Sequence, residues 1–300
     1  MNRHLIPKNI RDIFLSNPKI SRDTLASMTG ISNQKARFYC TLNKEMRYKA
    51  SKVVKRGVVL FDIHYPVHNE ACMSIVKKFI KDFEPHHLII GGDALDLACI
   101  SDFNKAKPKL IEKTRLSKEY KGFQKEILTP LENAIPDKCK KYYLIGNHEW
   151  RVDRLVEGNP QLEGLVELET NLNLEDYTII PFNGTLNLGE MSFIHGITCN
   201  KYHSEKNVST YNTNIFSGHL HTSQVYTKVS PLNSLPKSGV SVGCLCDMNP
   251  HYMQNKPNAW VHQFLYFYMF EDGSFTYYTP TIINGKVMIN NKLYVGDTSA

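Results

Sequence analysis

The 300-residue chain is 42% hydrophobic and 22% charged, which excludes a disordered or fibrous polymer and allows one substantial core with a small appended module. No apolar run approaches the roughly 20 residues a membrane span needs, and the polar start Met1-Asn2-Arg3-His4 lacks the apolar stretch of a secretory signal, so a cytoplasmic protein without a membrane partner is expected. The formal net charge of +7 is uneven: thirteen Lys and Arg against three acids leave +10 on residues 1–56 and −3 on the rest, which points to a polyanionic partner at the N-terminal segment.

The first fifty residues predict a small all-α module. Ile6, Ile10, Ile13 and Phe14 recur at a helical period that Ser16-Asn17-Pro18 ends. Ser21 can cap a second helix carrying Leu25, Ala26 and Met28. Gly30 makes the turn, and Ser32 can cap a third helix carrying Ala36, Phe38, Tyr39 and Leu42. Residues 21–42 resemble a helix-turn-helix. In that geometry the second helix of the pair enters the major groove, so Asn33, Gln34, Lys35 and Arg37 would face DNA. A helical hairpin that only packs on the next domain or mediates dimerisation fits the same pattern. Residues 46–56 are polar and basic with no period and read as a linker, dividing the chain into 1–50 and a domain over 51–300.

From Gly57 the rhythm changes. Val58-Val59-Leu60-Phe61, His87-Leu88-Ile89-Ile90 and Tyr142-Tyr143-Leu144-Ile145 are short apolar runs expected of buried strands. Residues 70–82 and 117–131 between them carry helical periods. This is the alternation of a layered α/β domain. After about residue 177 strands dominate, and Asp272-Gly273 and Asn284-Gly285 are hairpin turn signals. The seven cysteines are scattered and odd in number, which fits reduced thiols. Cys244-Leu245-Cys246 has no second pair to make a zinc knuckle and reads as small strand residues.

Chemistry gathers at the strand ends. Phe61 is followed by Asp62-Ile63-His64, Ile90 by Gly91-Gly92-Asp93-Ala94-Leu95-Asp96, and Ile145 by Gly146-Asn147-His148-Glu149. Ile194 is followed by His195-Gly196, and Ser217 by Gly218-His219-Leu220-His221. A strand end holds a ligand rigidly, and glycines let the backbone turn sharply into a site. Carboxylate, imidazole and amide donors together suit Mn, Fe or Zn better than Ca. Any one of these histidines alone would be an ordinary core or surface residue; five blocks in order after apolar strands are not.

That order of blocks, across residues 58–221, resembles the calcineurin-like metallophosphoesterase superfamily. The resemblance implies an α/β fold, a two-sheet β-sandwich flanked by helices, with two divalent metal ions as cofactors. Manganese is expected first, and Fe, Zn or Ni are tolerated. By the same resemblance Asp62, His64 and His221 hold one ion, Asn147, His195 and His219 the other, and Asp93 bridges them. His148 stands beside the ions without ligating them. Two such ions share a water, lower its pKa and clamp phosphate oxygens, so that a bridging hydroxide attacks phosphorus in line with the leaving group. His148 would stabilise the transition state or protonate the departing oxygen, and Asp96 would orient a histidine.

Arg151 and His203 are candidate substrate contacts. Trp150 and Arg154 could stack on a base or meet a phosphate, a solvated helix being the other reading. His68, His86, His87, His251 and His262 have no motif context. Glu149 and the basic run after it look more like the nucleic-acid or nucleotide branches of the superfamily than its protein phosphatases. Fusion to a basic helix-turn-helix is similar to small phosphoesterases encoded by bacteriophages. The expected activity is therefore a phosphodiesterase or nuclease acting on DNA or another nucleic acid. A nucleotide phosphomonoesterase, or a DNA-binding regulator with a vestigial phosphoesterase domain, are the alternatives.

Overall fold

The computed structural model describes residues 6–17, 20–50, 53–196, 198–230 and 233–297. The N-terminal segment forms α1 (Lys8–Ser16), α2 (Arg22–Thr29) and α3 (Asn33–Ala50). Both expected caps form: Ser21 Oγ accepts from Thr24 N at 3.1 Å and Ser32 Oγ from Lys35 N at 3.3 Å. Gly30 adopts φ 69°, the left-handed conformation that ends α2. Ile6, Ile10, Phe14, Ile20, Leu25, Ala36 and Leu42 close on one another as a core of their own.

Two expectations fail in this module. Phe38 and Met28, read as part of the apolar face, are 56% and 63% exposed. The 46–56 stretch is not an open linker, because α3 continues through Ala50 and the first strand opens at Val53. Met46, Arg47, Lys49 and Ala50 are good helix formers, and propensity can extend a helix where no apolar period marks it. Pro18, expected to end the first helix, lies outside the described residues.

The rest alternates as the apolar runs predict. In chain order come β1 (Val53–Leu60), α4 (Glu70–Phe83), β2 (His87–Ile90), α5 (Pro108–Ile111) and α6 (Leu116–Phe123). A π-turn over Gln124–Leu128 carries α6 into α7 (Thr129–Glu132). Then follow β3 (Lys140–Leu144), α8 (Trp150–Gly158), α9 (Leu168–Asn171) and β4 (Tyr177–Ile180). β1 to β4 lie parallel in one six-stranded sheet. β10 (Leu265–Phe270) pairs antiparallel with β1, and β11 (Phe275–Tyr278) completes that edge. A five-stranded sheet holds β5 (Leu186–Leu188), β6 (Met191–Phe193), β7 (Asn214–Ser217), β8 (Gln224–Ser230) and β9 (Asn233–Ser241), with α10 (His203–Tyr211) between β6 and β7.

Side-chain alternation decides the layers. Val58 and Leu60 of β1 face the helices, packing with Val76, Phe79 and Ile80 of α4. Val59 and Phe61 face the second sheet, where they meet Phe193, Phe216 and Val240. The chain is thus an α/β protein with two main sheets flanked by helices, as the sequence leads one to expect. Asp272-Gly273 turns the β10–β11 hairpin. Asn284-Gly285 also makes a turn, with both residues at positive φ, but it joins only the single bridge Ile283–Lys286. The last full hairpin, β12 (Lys286–Ile289) with β13 (Lys292–Val295), turns on Asn290-Asn291, a signal missed in the sequence.

The arrangement brings strand ends together. Leu60, Ile90 and Tyr143 sit in neighbouring register on β1, β2 and β3, so the loops after these strands leave side by side. Phe193 and Phe216 do the same on β6 and β7.

Candidate metal centre

Every strand-end block opens into one buried cluster. Asp62, His64 and His221 place ligand atoms within 4.8 Å of one another, as do Asp93, His195 and His219, and His64, Asp93 and His148. Asp93 belongs to two of these groups: its Oδ2 lies 3.2 Å from His195 Nε2 and 3.9 Å from His64 Nε2. Asn147 Oδ1 lies 3.1 Å from His195 Nε2. The seven residues assigned as ligands in the sequence therefore converge in two adjoining sets with Asp93 between them.

Backbone geometry at these positions is unusual. Asp62, His64, Asp93, His219 and His221 all have φ between 48° and 74°, the left-handed region that costs a non-glycine residue of order 1–3 kcal/mol. Such strain persists only where surrounding contacts over-determine it, and here they do. His64 N donates to Asp93 O at 2.9 Å, and His219 N donates to Asp62 Oδ2 at 2.9 Å. Gly146 and Gly218 are required by proximity. A Cβ at Gly146 would strike Asp93, and one at Gly218 would strike the Asp62 carboxylate.

The donor set fits cations. Asp62 Oδ1 is buried without a hydrogen-bond partner, and two imidazole nitrogens, His64 Nε2 and His221 Nε2, face each other at 3.1 Å. His64 Nδ1 donates outward to Asp96 Oδ1 at 3.3 Å, and His195 Nδ1 to the Gly91 carbonyl at 3.1 Å, which leaves both Nε2 lone pairs turned inward. His219 is reversed. Its buried Nδ1 has no partner, and its Nε2 lies 3.1 Å from Cys199 Sγ. Ring nitrogens facing each other and a buried carboxylate oxygen with no hydrogen bond are what a positive charge between them would satisfy.

Electrostatics agree. Burial pushes the Asp93 carboxyl up, but His195, His148 and His64 outweigh it and hold the carboxyl well below its ordinary value. Burial likewise opposes charge on His195 and His221, yet Asp93 raises the first to about 9 and Asp62 the second to about 10. Protons on these rings stand where cations would otherwise balance the two aspartates.

Asp96 and His148 lie where the sequence leads one to look. Asp96 Oδ1 reaches His64, and its carbonyl accepts from His148 Nδ1 at 2.8 Å and from the Arg151 guanidinium at 2.6 Å. Arg151 thus holds the Asp96 turn. His203 sits apart: it is buried at the start of α10, its Nδ1 donates to Asn200 O at 3.0 Å, and it belongs to none of the ligand groups among the described residues. Asn33, Gln34, Lys35 and Arg37 are all exposed along the first turns of α3.

The structural roles of two carboxylates escaped the sequence reading. Glu149 is fully buried and accepts from four backbone N–H groups, those of Asp93, Ala94, Leu95 and Gly146, and from the Tyr143 hydroxyl. It ties the Asp93 loop to the Asn147 loop, and its place directly after Asn147-His148 was the available signal. Glu119, on α6, accepts from Leu97 N at 2.5 Å, beneath the Asp96 turn. Burial raises its pKa to about 8. No local pattern marks it, because Lys118-Glu119 reads as a solvated helix face.

No family model matches the chain, and no curated protein does. Solved structures do. Vps29 from Entamoeba histolytica complexed with Zn2+ is 12% identical with TM-score 0.42, over 79% of this chain and 96% of that one. Vps29 from Cryptosporidium parvum is 12% identical with TM-score 0.43, over 80% and 98%. The nuclease MPE of Pseudomonas putida is 12% identical with TM-score 0.31, over 80% and 85%. Each likeness concerns the fold alone. Among the described residues no helix is long and apolar enough to cross a membrane.

Proposed function

We propose that this chain is a phosphoesterase that works with two divalent cations, manganese first among them, and that its substrate is a nucleic-acid phosphodiester. The observation that carries the reading is the pair of adjoining carboxylate–imidazole clusters sharing Asp93. Asp62, His64 and His221 would hold one cation and Asn147, His195 and His219 the other, with Asp93 touching both. Bound there, two such cations supply charge for the phosphate oxygens and a water of lowered pKa.

The chain's own residues do the rest. Asp96 keeps the His64 ring aimed inward. The Asp96 carbonyl accepts a hydrogen bond from His148 Nδ1, so Nε2 is the atom His148 turns toward Asp93, 3.8 Å away. Burial above all holds His148 down at about 4, so the ring is neutral near pH 7. In that tautomer Nε2 accepts a proton before it can deliver one, which favours an acceptor role over the donor role read from the sequence. Arg151, with one N–H used on Asp96, has further donors for a phosphate oxygen.

The N-terminal module supports the choice of a nucleic acid. It has its own core, the +10 charge lies within residues 1–56, and α3 exposes Asn33, Gln34, Lys35 and Arg37 on one element. We assign these four to DNA contact and the module to tethering the catalytic domain on its substrate.

The test is hydrolysis of bis(p-nitrophenyl) phosphate against p-nitrophenyl phosphate by the manganese-loaded protein, then of labelled DNA. Turnover of the diester and of DNA, both removed by Asp93→Ala, is expected. Monoester turnover with intact DNA would replace the reading by a nucleotide phosphatase. No turnover of any ester, with DNA binding retained, would make the catalytic domain a scaffold.

A further inference from the structure

One excursion of the chain leaves the metal centre and returns to it. Residues 97–119 depart at Leu97, directly after the Asp96 turn that holds His64, His148 and Arg151. They come back at Glu119, whose Oε1 accepts from Leu97 N at 2.5 Å. Partway out, Asp102 pairs with Arg154, which lies one turn beyond Arg151 on α8. The excursion is therefore seated on the helix that opens just after Asn147 and His148. Two short 3-10 turns, Ala98–Ile100 and Asp102–Asn104, and then α5 build its outer part.

That outer part is both basic and aromatic. Residues 103–118 hold six Lys and Arg against one acid, Glu112, although residues 57–300 as a whole sum to −3. Two of the six cations are occupied: Lys105 pairs with Asp102 at 2.7 Å, and the Arg115 guanidinium donates to the carbonyls of Glu112 and Thr114. Lys107, Lys109, Lys113 and Lys118 are exposed, and none of them has an ion-pair partner among the described residues. Phe103 is 85% exposed, so neither face of its ring is covered. Unpaired cations gathered on one surface repel one another and match a polyanion. An uncovered ring among them matches an unpaired base. The combination is complementary to a single nucleic-acid strand, whereas an acidic peptide offers no ring and a duplex keeps its bases stacked inside.

We propose that residues 103–118 are the surface along which a single nucleic-acid strand reaches the metal centre. Phe103 stacks on one of its bases, and Lys107, Lys109, Lys113 and Lys118 meet its phosphates. The proposal rests on the nucleic-acid reading of the site and narrows it to unpaired strands.

Fluorescence anisotropy on the full-length protein in EDTA, where no strand is cut, tests it with three labelled probes of equal length: oligo(dT), an abasic strand and a duplex. Oligo(dT) should bind about 10-fold tighter than the abasic strand, the scale of one stacked base. Phe103→Ala should erase that preference and leave the abasic strand and the duplex bound about as tightly as before. Lys107→Ala, Lys109→Ala and Lys113→Ala together should weaken both single strands and lower the salt slope by about 0.7 per lost phosphate contact, about 2 in all. All four positions are exposed, and far-UV circular dichroism reports the fold. No base preference in the wild type, a preference that survives Phe103→Ala, or an unchanged slope in the triple variant overturns the strand surface. Poly-glutamate bound as tightly as oligo(dT) also overturns it, in favour of an acidic protein partner. Hydrolysis of bis(p-nitrophenyl) phosphate by the manganese-loaded wild type reads the catalytic centre separately. Its absence removes the phosphoesterase reading, and the anisotropy results still decide the strand surface.

Discussion

The helices before residue 50 and the strand ends of the two sheets are built to opposite rules. The N-terminal module keeps its chemistry outside: Asn33, Gln34, Lys35 and Arg37 are exposed, and among the described residues the fully buried side chains are apolar ones such as Leu25 and Ala36. The strand ends keep theirs inside. Asp62, His64, Asp93, His195 and His221 are buried and held by other buried polar groups, all but His195 on strained backbone. An exposed charge acts over the Debye length and needs little positioning, whereas a buried one must be matched atom by atom. Damage should therefore be severe and local at the strand ends, and graded and salt-dependent in the helices.

The largest effect is expected from Glu149→Ala. Four buried backbone N–H groups lose their acceptor, at about 1–3 kcal/mol each, so thermal unfolding should drop far below wild type and cation binding should be lost. A melting curve within a few degrees of wild type would show that the loops hold without it. Asp93→Ala should next cut diester hydrolysis by roughly 10³-fold, the scale of several kcal/mol of transition-state charge stabilisation, while DNA affinity stays within twofold. A parallel loss of DNA affinity would mean that the two regions are not independent.

Protons and cations should compete at the site. His195 and His221, raised to about 9 and about 10, are protonated in the cation-free protein at neutral pH and must be neutral to bind. Below about pH 9 Mn2+ affinity should therefore rise with pH, by up to ~100-fold per unit for two displaced protons. Calorimetry in buffers of different ionisation enthalpy would count them, and no proton release would contradict the assignment of these rings. In the helices, Lys35→Ala with Arg37→Ala should weaken DNA binding evenly across sequences and flatten the salt slope by about 0.9 per lost phosphate contact. An unchanged slope would leave the module to packing or dimerisation.

The smallest effect concerns His87, which is buried between Tyr142 and Phe267 with neither ring nitrogen partnered. Burial lowers it to about 4 against an ordinary value near 6.5. The unfolded chain therefore takes up the proton first, and stability falls as pH drops from about 6.5 toward 4. His87→Phe should remove that part of the slope, read as melting temperature against pH.

Residue order by itself determined a good deal. The buried strands β1 and β3 end in apolar runs of four, α4 carries its period, and the caps at Ser21 and Ser32 and the turn at Gly30 are local chemistry. The seven candidate ligands could be named because the order of the strand-end blocks carries a resemblance to a known superfamily. Only the tertiary structure decided the rest. Phe38 emerges into solvent because three helices close without it, and α3 outruns the period that announced it. Glu149 and Glu119 gained their roles from loops 22 to 56 positions away. A spacing of two to four residues is written in the chain, but a hydrogen bond to a distant loop exists only once the sheets have set the strand ends side by side.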